Sequence, residues 1–267
     1  MFALIMFSAM AAKGAAVPQT VEFTSGALVL RGELYIPDGT GPFPALLFNH
    51  GSAPGMQNSH ASKAMAPYFM KKGWVFFMPY RRGQGLSSSS GEYIRDEIHK
   101  AAQKGMANAD QALLRLMTQE HLSDQLAALK WLEGQSFIDK SRIAAFGNSF
   151  GGIQTLLGAA NANYCAGISA SAAAQSWGKA PLLRDELNRA ITKSRAPLFI
   201  FQAANDYDLE PAKSFATAAA NAGKHLESTT YPAFGTTPEQ GHSFPYKSVG
   251  TWFPDVFRFI ERHCVSK

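Results

Sequence analysis

The stretch of sequence that most constrains the fold runs from Arg142 to Ala160. A short apolar run, residues 143–146, leads into Gly147-Asn148-Ser149-Phe150-Gly151, and small and apolar residues at helical spacing follow. This pattern predicts a strand, a tight turn and a helix, with Ser149 at the apex of the turn. Such a turn strains the backbone of the serine, so the residues two places before and two places after it need to be nearly free of side chain. Both are glycine.

The predicted turn gives Ser149 the surroundings of a nucleophile. It directs the backbone amide of Phe150 toward whatever binds beside the serine hydroxyl, and the following helix presents its positive end on the same side. The alternative interpretation is a glycine-rich turn whose serine only caps the helix. Other parts of the chain decide between the two interpretations.

The length of the chain and its lack of internal repeats and linkers favour a single domain. The chain has 267 residues, and we place a single α/β domain at residues 17–267, because no repeat and no Pro-, Gly- or Ser-rich linker divides it.

The formal net charge of +5 comes from scattered Lys and Arg residues, without a basic block or interleaved aromatic residues. We interpret it as a solubility property or a mild attraction to anionic surfaces, and expect no nucleic-acid partner.

Residues 1–16 begin with an apolar run, Phe2 to Phe7, that is too short to cross a bilayer. Small residues follow, with Ala9-Met10-Ala11 as a candidate cleavage site, so the segment resembles a signal peptide that lacks a positive n-region. The alternative is a disordered extension or a misplaced start. No later segment resembles a membrane span. We therefore expect a secreted or periplasmic protein, with a cytoplasmic one as the alternative.

The two cysteines, Cys165 and Cys264, lie 99 positions apart and lack metal-ligand spacing. In an exported protein they could form one disulfide, and closing a loop of that length stabilises by about 4 to 5 kcal/mol in the chain-entropy model. Two buried free thiols fit the sequence equally well.

The remaining pattern alternates strands and helices. Residues 21–36 alternate apolar and polar side chains around Ser25-Gly26, which predicts an antiparallel hairpin. Continuous apolar runs predict strands that are covered on both faces, and such strands are typical of a parallel sheet with helices on both sides. The predicted strands are 43–48, 74–78, 143–146, 165–171, 197–203 and 227–231, and the predicted helices include 61–72, 124–133 and 182–192.

Residues 86–118 are the least sheet-like part of the chain, with a serine run followed by mixed-charge helix formers. Long segments of this kind in compact enzymes are often lids or pocket walls. A solvated helical excursion is the alternative.

The sequence Asn49-His50-Gly51-Ser52 follows the apolar run that predicts the strand at 43–48. Gly51 permits a close approach of backbone, so we expect the amide of Ser52 to be a second oxyanion donor beside that of Phe150. We expect His50 to hydrogen-bond neighbouring backbone instead of acting as the base. An ordinary strand-to-loop turn is the alternative.

A serine nucleophile needs a base, and His242 is the best placed of the seven histidines, in what we predict to be a glycine-flanked loop after the last strand. We expect His225 and His263 to face solvent. The base needs a carboxylate, and Asp206 is the first acid after the strand at 197–203. Asp208 is better placed to cap the following helix.

Trp177 and Tyr207 are candidate substrate-binding residues, although Trp177 could merely cover the sheet edge. Arg82, in a glycine-punctuated loop, either forms a buried ion pair or is solvated. The sequence shows no metal-binding motif and no dinucleotide fingerprint, so we expect neither a metal nor another cofactor.

The assembled motifs resemble the α/β-hydrolase superfamily, and within it the dienelactone hydrolase-like branch that borders the prolyl oligopeptidase-type peptidases. The chain order Ser149, Asp206, His242 is the hydrolase order. The resemblance implies the α/β-hydrolase fold across residues 27–260 or so. It rests on His50-Gly51-Ser52, Arg82-Gly83-Gln84-Gly85-Leu86-Ser87, Gly147 to Gly151, Gln202 to Asp206 and Gly241-His242-Ser243-Phe244.

Three positions depart from that branch. Ser149 stands where dienelactone hydrolases proper have cysteine, which favours esterase chemistry, while Ala203 replaces a usual glycine and Tyr80 a common aspartate. We therefore predict a serine hydrolase that cleaves carboxylic esters of small or medium acyl chains through an acyl-enzyme. The alternatives are a prolyl oligopeptidase-type peptidase and a catalytically silent binding protein, and the oligomeric state stays open.

Overall fold

An eight-stranded sheet runs through the computed structural model, which describes residues 17–53 and 60–265. The strand order is β1-β2-β4-β3-β5-β6-β7-β8, with β1 and β2 antiparallel to their neighbours and β3 to β8 parallel. The strands are β1 (Gln19–Ser25), β2 (Leu28–Tyr35), β3 (Phe43–Asn49), β4 (Val75–Pro79), β5 (Ile138–Asn148), β6 (Ala166–Ala170), β7 (Leu198–Ala203) and β8 (Leu226–Tyr231).

Burial along the strands follows the sequence pattern. The central strands β4, β6 and β7 are buried at every position, because helices cover both faces of a parallel sheet. The predicted hairpin is confirmed as β1 and β2, which are joined through Gly26 at a φ of 59°. Glycine adopts that left-handed backbone conformation more readily than residues with a side chain.

Nine α-helices cover the sheet within the described ranges. One hydrophobic cluster lies on the face covered by α2 to α7, and the other on the face covered by α1, α8 and α9. The helices are α1 (Ala61–Met70), α2 (Ile94–Ala102), α3 (Met106–Arg115), α4 (His121–Glu133), α5 (Phe150–Asn161), α6 (Pro181–Lys193), α7 (Glu210–Asn221), α8 (Pro238–Lys247) and α9 (Val249–His263). The predicted fold class, a mostly parallel sheet with helices on both faces, is confirmed.

Residues 86–118 contain α2 and α3, followed by a π-helical turn, Leu116–Glu120. That turn runs directly into α4, so α4 begins at His121 and not at the expected Asp124. The segment predicted as a signal peptide, residues 1–16, lies outside the described residues. None of the helices in the described ranges is both long enough and apolar enough to span a bilayer.

Cys165 and Cys264 form a disulfide with an S–S distance of 2.03 Å. The bond joins the residue before β6 to the residue after α9, and the Cys264 carbonyl also accepts a hydrogen bond from Arg142 Nε at 2.9 Å. Of the two alternatives that the sequence left open, the structure has the disulfide.

The loop that this disulfide closes predicts its contribution to stability. We expect Cys165→Ala/Cys264→Ala to lower the free energy of unfolding by about 4 to 5 kcal/mol, since the unfolded chain regains the freedom of a long loop. Urea denaturation of the variant and of the oxidised protein measures the difference. Reductant should lower the urea denaturation midpoint of the wild-type protein and leave that of the variant unchanged. Equal midpoints for the oxidised protein and the variant would contradict the expectation.

Candidate active site

Ser149 lies between β5 and α5 with φ 59° and ψ −121°, a conformation that non-glycine residues rarely adopt. Backbone hydrogen bonds hold it on both sides. The Ser149 amide donates to the Ala170 carbonyl at 2.9 Å, and the Ile153 amide donates to the Ser149 carbonyl at 3.0 Å. Strain of this kind persists only where surrounding contacts fix the backbone. The predicted strained turn at Ser149 is present, and these hydrogen bonds hold it in place.

The two glycines around Ser149 are sterically required. A Cβ atom at Gly147 would lie 2.1 Å from the Gly151 carbonyl oxygen, and one at Gly151 would lie 1.8 Å from the carbonyl oxygen of Asn49 on β3. Both distances are far inside van der Waals contact. The predicted need for glycine at these positions is confirmed, and at Gly151 its cause is the neighbouring strand.

Asp206 and His242 come together at the carboxyl edge of the sheet. Asp206 follows β7 and is 8% exposed, and its Oδ1 lies 2.8 Å from His242 Nδ1. The Tyr207 amide donates to the same carboxylate oxygen at 2.8 Å. Asp208 instead accepts a hydrogen bond from the Glu210 amide, the first of α7, at 2.8 Å, although the residue at the N-cap position is Leu209.

The prediction that His242 lies in a loop is wrong, because it lies in α8. Thr237 and Gln240 form a capping box, in which each side chain bonds the backbone of the other, and Pro238 begins the helix. Gly241 lets α8 approach the loop that carries Asp206, since a Cβ atom there would lie 2.6 Å from the Asn205 carbonyl oxygen. The Thr-Pro-x-Gln pattern is the sequence signal that could have identified this helix.

The orientation of the His242 ring leaves one nitrogen for chemistry. With Nδ1 directed at Asp206, Nε2 is shielded from solvent and has no hydrogen-bond partner among the described residues. Ser149 and His242 both line a cavity of about 130 Å³. If Nδ1 carries the proton that the carboxylate accepts, Nε2 is the proton acceptor in that cavity.

The two residues predicted to donate to an oxyanion, Phe150 and Ser52, lie beside Ser149. Phe150 is the first residue of α5, where backbone amides have no acceptor within the helix. Ser52 lines the cavity with Ser149, and its carbonyl oxygen accepts a hydrogen bond from the Tyr93 hydroxyl just before α2. The structure therefore brings both residues to the serine, and their role in stabilising an oxyanion stays a prediction.

His50 is buried and bonds the backbone, as expected. Its Nδ1 lies 2.7 Å from the Gly51 carbonyl oxygen, and its Nε2 accepts a hydrogen bond from the Arg81 amide at 3.2 Å. Burial, and then the charge of Arg81, lower the pKa of His50 well below its ordinary value. The imidazole is therefore neutral at pH 7, with one nitrogen donating and the other accepting.

Arg81 is a buried residue that the sequence did not single out. Its guanidinium donates to the Gly51 carbonyl oxygen and to the side chains of Gln154 and Gln84. Burial lowers the pKa of Arg81 to about 10, which still leaves the group charged at pH 7. These bonds connect the loop after β3 to α5. Two arginines follow β4 in the sequence, and nothing in the pattern says which one is buried.

Of the two alternatives for Arg82, an ion pair or a solvated side chain, the structure has the ion pair. Its Nε lies 2.9 Å from Asp124 Oδ2, and its Nη2 lies 2.7 Å from Asp124 Oδ1. Ser25 Oγ donates to the same carboxylate at 2.7 Å, so the pair links the loop after β4 to α4 and to the end of β1. The hydrogen bonds to Asp124 raise the pKa of Arg82.

The two candidate substrate-binding residues differ in position. The Tyr207 ring contacts the His242 ring at a centroid distance of 5.4 Å and lines a recess beside it. Trp177 packs edge-on against Phe215 at 5.3 Å and does not line the described cavity that contains Ser149. Trp177 lines a separate recess between α6 and α7, so its substrate-binding role stays a prediction that the cavity with Ser149 does not test. Gln175, from the same loop, lines the cavity instead.

A larger cavity adjoins the serine under the segment that was predicted as a lid or pocket wall. It measures about 270 Å³ and is shared by α2, α3 and the loop after β6. Ser52 and Phe150 form its border with the serine, and Arg95 lines both cavities. Its apolar wall consists of Ile98, Met106, Ala109, Leu113, Phe150 and Ala180.

The protein has the α/β-hydrolase fold. Its defining features here are the strand order, the strained serine between β5 and α5, and the acid and histidine that follow β7 and β8. The model of the prolyl oligopeptidase family matches residues 98–179, which is less than a third of the chain. No curated protein matches the sequence significantly.

Solved structures with the same fold include two peptidases and an esterase. Pyrococcus horikoshii acylaminoacyl peptidase superposes with a TM-score of 0.67 at 19% identity, over 94% of this chain and 42% of that one. Porphyromonas gingivalis dipeptidyl peptidase 4 gives 0.66 at 17% identity, over 94% and 36%. A Pyrococcus furiosus esterase gives 0.66 at 15% identity, over 94% of both chains.

The chain thus spans well under half the length of the two peptidases and nearly the whole length of the esterase. At these identities the similarities establish the fold and not the activity.

The contact between Gly151 and β3 predicts the effect of a single methyl group. We expect Gly151→Ala to lower the free energy of unfolding by about 3 kcal/mol or more, because backbone on both sides has to move. Gly178→Ala is the matched control, since a Cβ atom there meets nothing within 4 Å. Chemical denaturation of both variants measures the difference, and equal stability of the two would contradict the steric argument.

Proposed function

We propose that the protein is a serine hydrolase that cleaves carboxylic esters of small or medium acyl chains. The observation that carries the proposal is one cavity that contains a serine in a strained strand-to-helix turn and a histidine whose other ring nitrogen is held by a buried aspartate. A serine that merely caps a helix needs neither partner.

The proposed chemistry has two steps. Ser149 Oγ attacks the ester carbonyl carbon while His242 Nε2 takes the hydroxyl proton, and Asp206 stabilises the positive imidazolium. The oxyanion accepts hydrogen bonds from the amides of Phe150 and Ser52, each worth about 2.7 to 4 kcal/mol of barrier. The C–O bond then breaks, and the alcohol leaves with the proton from Nε2. Water repeats the sequence on the acyl-enzyme and releases the acid.

The proposed oxyanion donors and the base, His242, determine how an ester would lie in the site. The base has to reach the leaving-group oxygen, so the alcohol part lies toward the recess that His242 and Tyr207 line. The acyl part then extends past Ser52 and Phe150 into the cavity under α2 and α3. Its mostly apolar wall supports an acyl chain longer than acetyl, and we assign residues 86–118 the role of a pocket wall.

A peptidase of the prolyl oligopeptidase type is the second candidate function. It is supported by the family match at residues 98–179 and by the fold shared with acylaminoacyl peptidase and dipeptidyl peptidase 4. An amide leaves less readily than an ester, so the same site would need closer control of the leaving nitrogen. The full-length match in fold to an esterase supports the ester proposal.

Two further proposals follow from the sequence motifs and the disulfide. We place the chain in the dienelactone hydrolase-like branch, on the motifs around His50, Arg82, Ser149, Asp206 and His242. We also propose that it works in an oxidising compartment outside the cytoplasm, since a disulfide persists there.

Substitution of the serine tests the proposed function. We expect Ser149→Ala to abolish hydrolysis of p-nitrophenyl butyrate, because the attacking oxygen is gone. Steady-state kinetics with a series of p-nitrophenyl esters, and with a peptide p-nitroanilide, separate esterase from peptidase activity.

A fluorophosphonate probe gives an independent readout in the same experiment. It should label the wild-type protein and fail to label the variant, while circular dichroism shows that both are folded. An unlabelled, inactive wild-type protein would support the silent binding protein, and an active Ser149→Ala variant would refute the assignment of the nucleophile.

The cavity under α2 and α3 predicts the acyl-chain preference. We expect Ala109→Leu to lower kcat/KM for the hexanoate ester by about tenfold or more and to leave the acetate ester nearly unchanged, because the added side chain occupies part of the cavity. Gln111→Leu, on the exposed side of the same helix, is the control. Equal losses for both esters would show that the acyl chain lies elsewhere.

A further inference from the structure

Three potential metal ligands meet at the edge of the sheet opposite the serine. They are His225 just before β8, Glu227 in β8 and His263 at the end of α9. One ligand atom from each lies within 4.8 Å of the other two. Because β8 is parallel to β7, the start of β8 lies at the amino edge of the sheet, whereas Ser149 lies at the carboxyl edge.

The Glu227 carboxylate of this cluster already has two polar neighbours. Glu227 Oε1 lies 3.0 Å from His225 Nε2, and Arg262 Nη2 lies 2.8 and 2.7 Å from the two carboxylate oxygens. Arg262 has a half-exposed side chain, so it can leave the carboxylate without disturbing the core.

His263 supplies a nitrogen that the fold does not use. We expected it to face solvent, but it is partly buried, and its Nε2 is shielded from solvent without a hydrogen-bond partner in the described part of the chain. An imidazole nitrogen without a hydrogen-bond partner can donate its lone pair to a metal ion.

Two imidazole nitrogens and one carboxylate oxygen form a ligand set that suits Zn²⁺ and its neighbours in the transition series. With metal–ligand distances of about 2.0 to 2.2 Å, ligand atoms in a tetrahedral site lie about 3.3 Å apart. His225 and Glu227 already approach that separation. His263 has to close the remaining gap by side-chain rotation, and water can take the fourth position.

We propose that His225, Glu227 and His263 bind a divalent transition-metal ion of the Zn²⁺ class. The ion replaces the Arg262 guanidinium on the carboxylate and links the start of β8 to the end of α9. It takes no part in the hydrolase chemistry, because the site lies at the other edge of the sheet. Sequence spacing did not predict it, since His263 is distant from the other two ligands along the chain.

The test is calorimetric titration of the full chain with ZnCl₂, without a histidine tag and after treatment with EDTA. We expect one ion per chain and a rise in melting temperature, which Mg²⁺ does not reproduce because it prefers oxygen ligands. His225→Ala and His263→Ala should each weaken binding by at least about tenfold. His99→Ala, an exposed histidine on α2, is the matched control and should bind as the wild-type protein does.

Arg262→Gln distinguishes a metal site from a simple ion-pair cluster. It removes the competing cation, so we expect Zn²⁺ to bind more tightly than to the wild-type protein. No heat of binding at millimolar Zn²⁺, or affinity that survives both histidine substitutions, would overturn the proposal. If His263→Ala does not fold, as judged by circular dichroism, His263→Gln replaces it in the same comparison.

Discussion

The contact between the backbone of β3 and the turn that carries Ser149 is the constraint on which the rest of the site depends. Asn49 at the end of β3 and Gly151 at the start of α5 approach so closely that no side chain fits between them. This approach fixes the strained serine and places the loop after β3 beside it. This contact thus brings the serine together with the loop that carries one of its predicted oxyanion donors.

Buried polar groups hold the loops around this contact. Arg81 donates to a carbonyl oxygen and two glutamine side chains, while Arg82 pairs with Asp124. Burying a charge is costly unless hydrogen bonds satisfy it, so the buried Arg81 and the buried Asp124 hold these loops in the arrangement that provides their partners. The neutral His50 completes this network by bonding backbone on both sides.

The two edges of the sheet have separate roles. Ser149, Asp206 and His242 follow the carboxyl ends of β5, β7 and β8, as is usual for sites in parallel sheets. The amino edge carries the disulfide before β6 and the histidine cluster before β8, both of which engage the end of α9. Covalent and polar links thus fasten the last helix at the edge away from the candidate active site.

The sequence by itself determined the sheet, the turn at Ser149 and the pairing of Asp206 with His242, because these follow from apolar runs, glycine spacing and chain order. It did not determine that α8 carries His242, since Gly241 and Pro245 resemble loop residues until the capping box and the close approach to Asn205 are seen.

Only the tertiary structure decided which of two adjacent arginines is buried, which way Trp177 faces and that His263 lies beside His225 and Glu227. Each of these depends on contacts between residues far apart in the chain, and local pattern has no information about such contacts. The physical reason is that periodicity reports which face of an element is buried, whereas packing decides what that face meets.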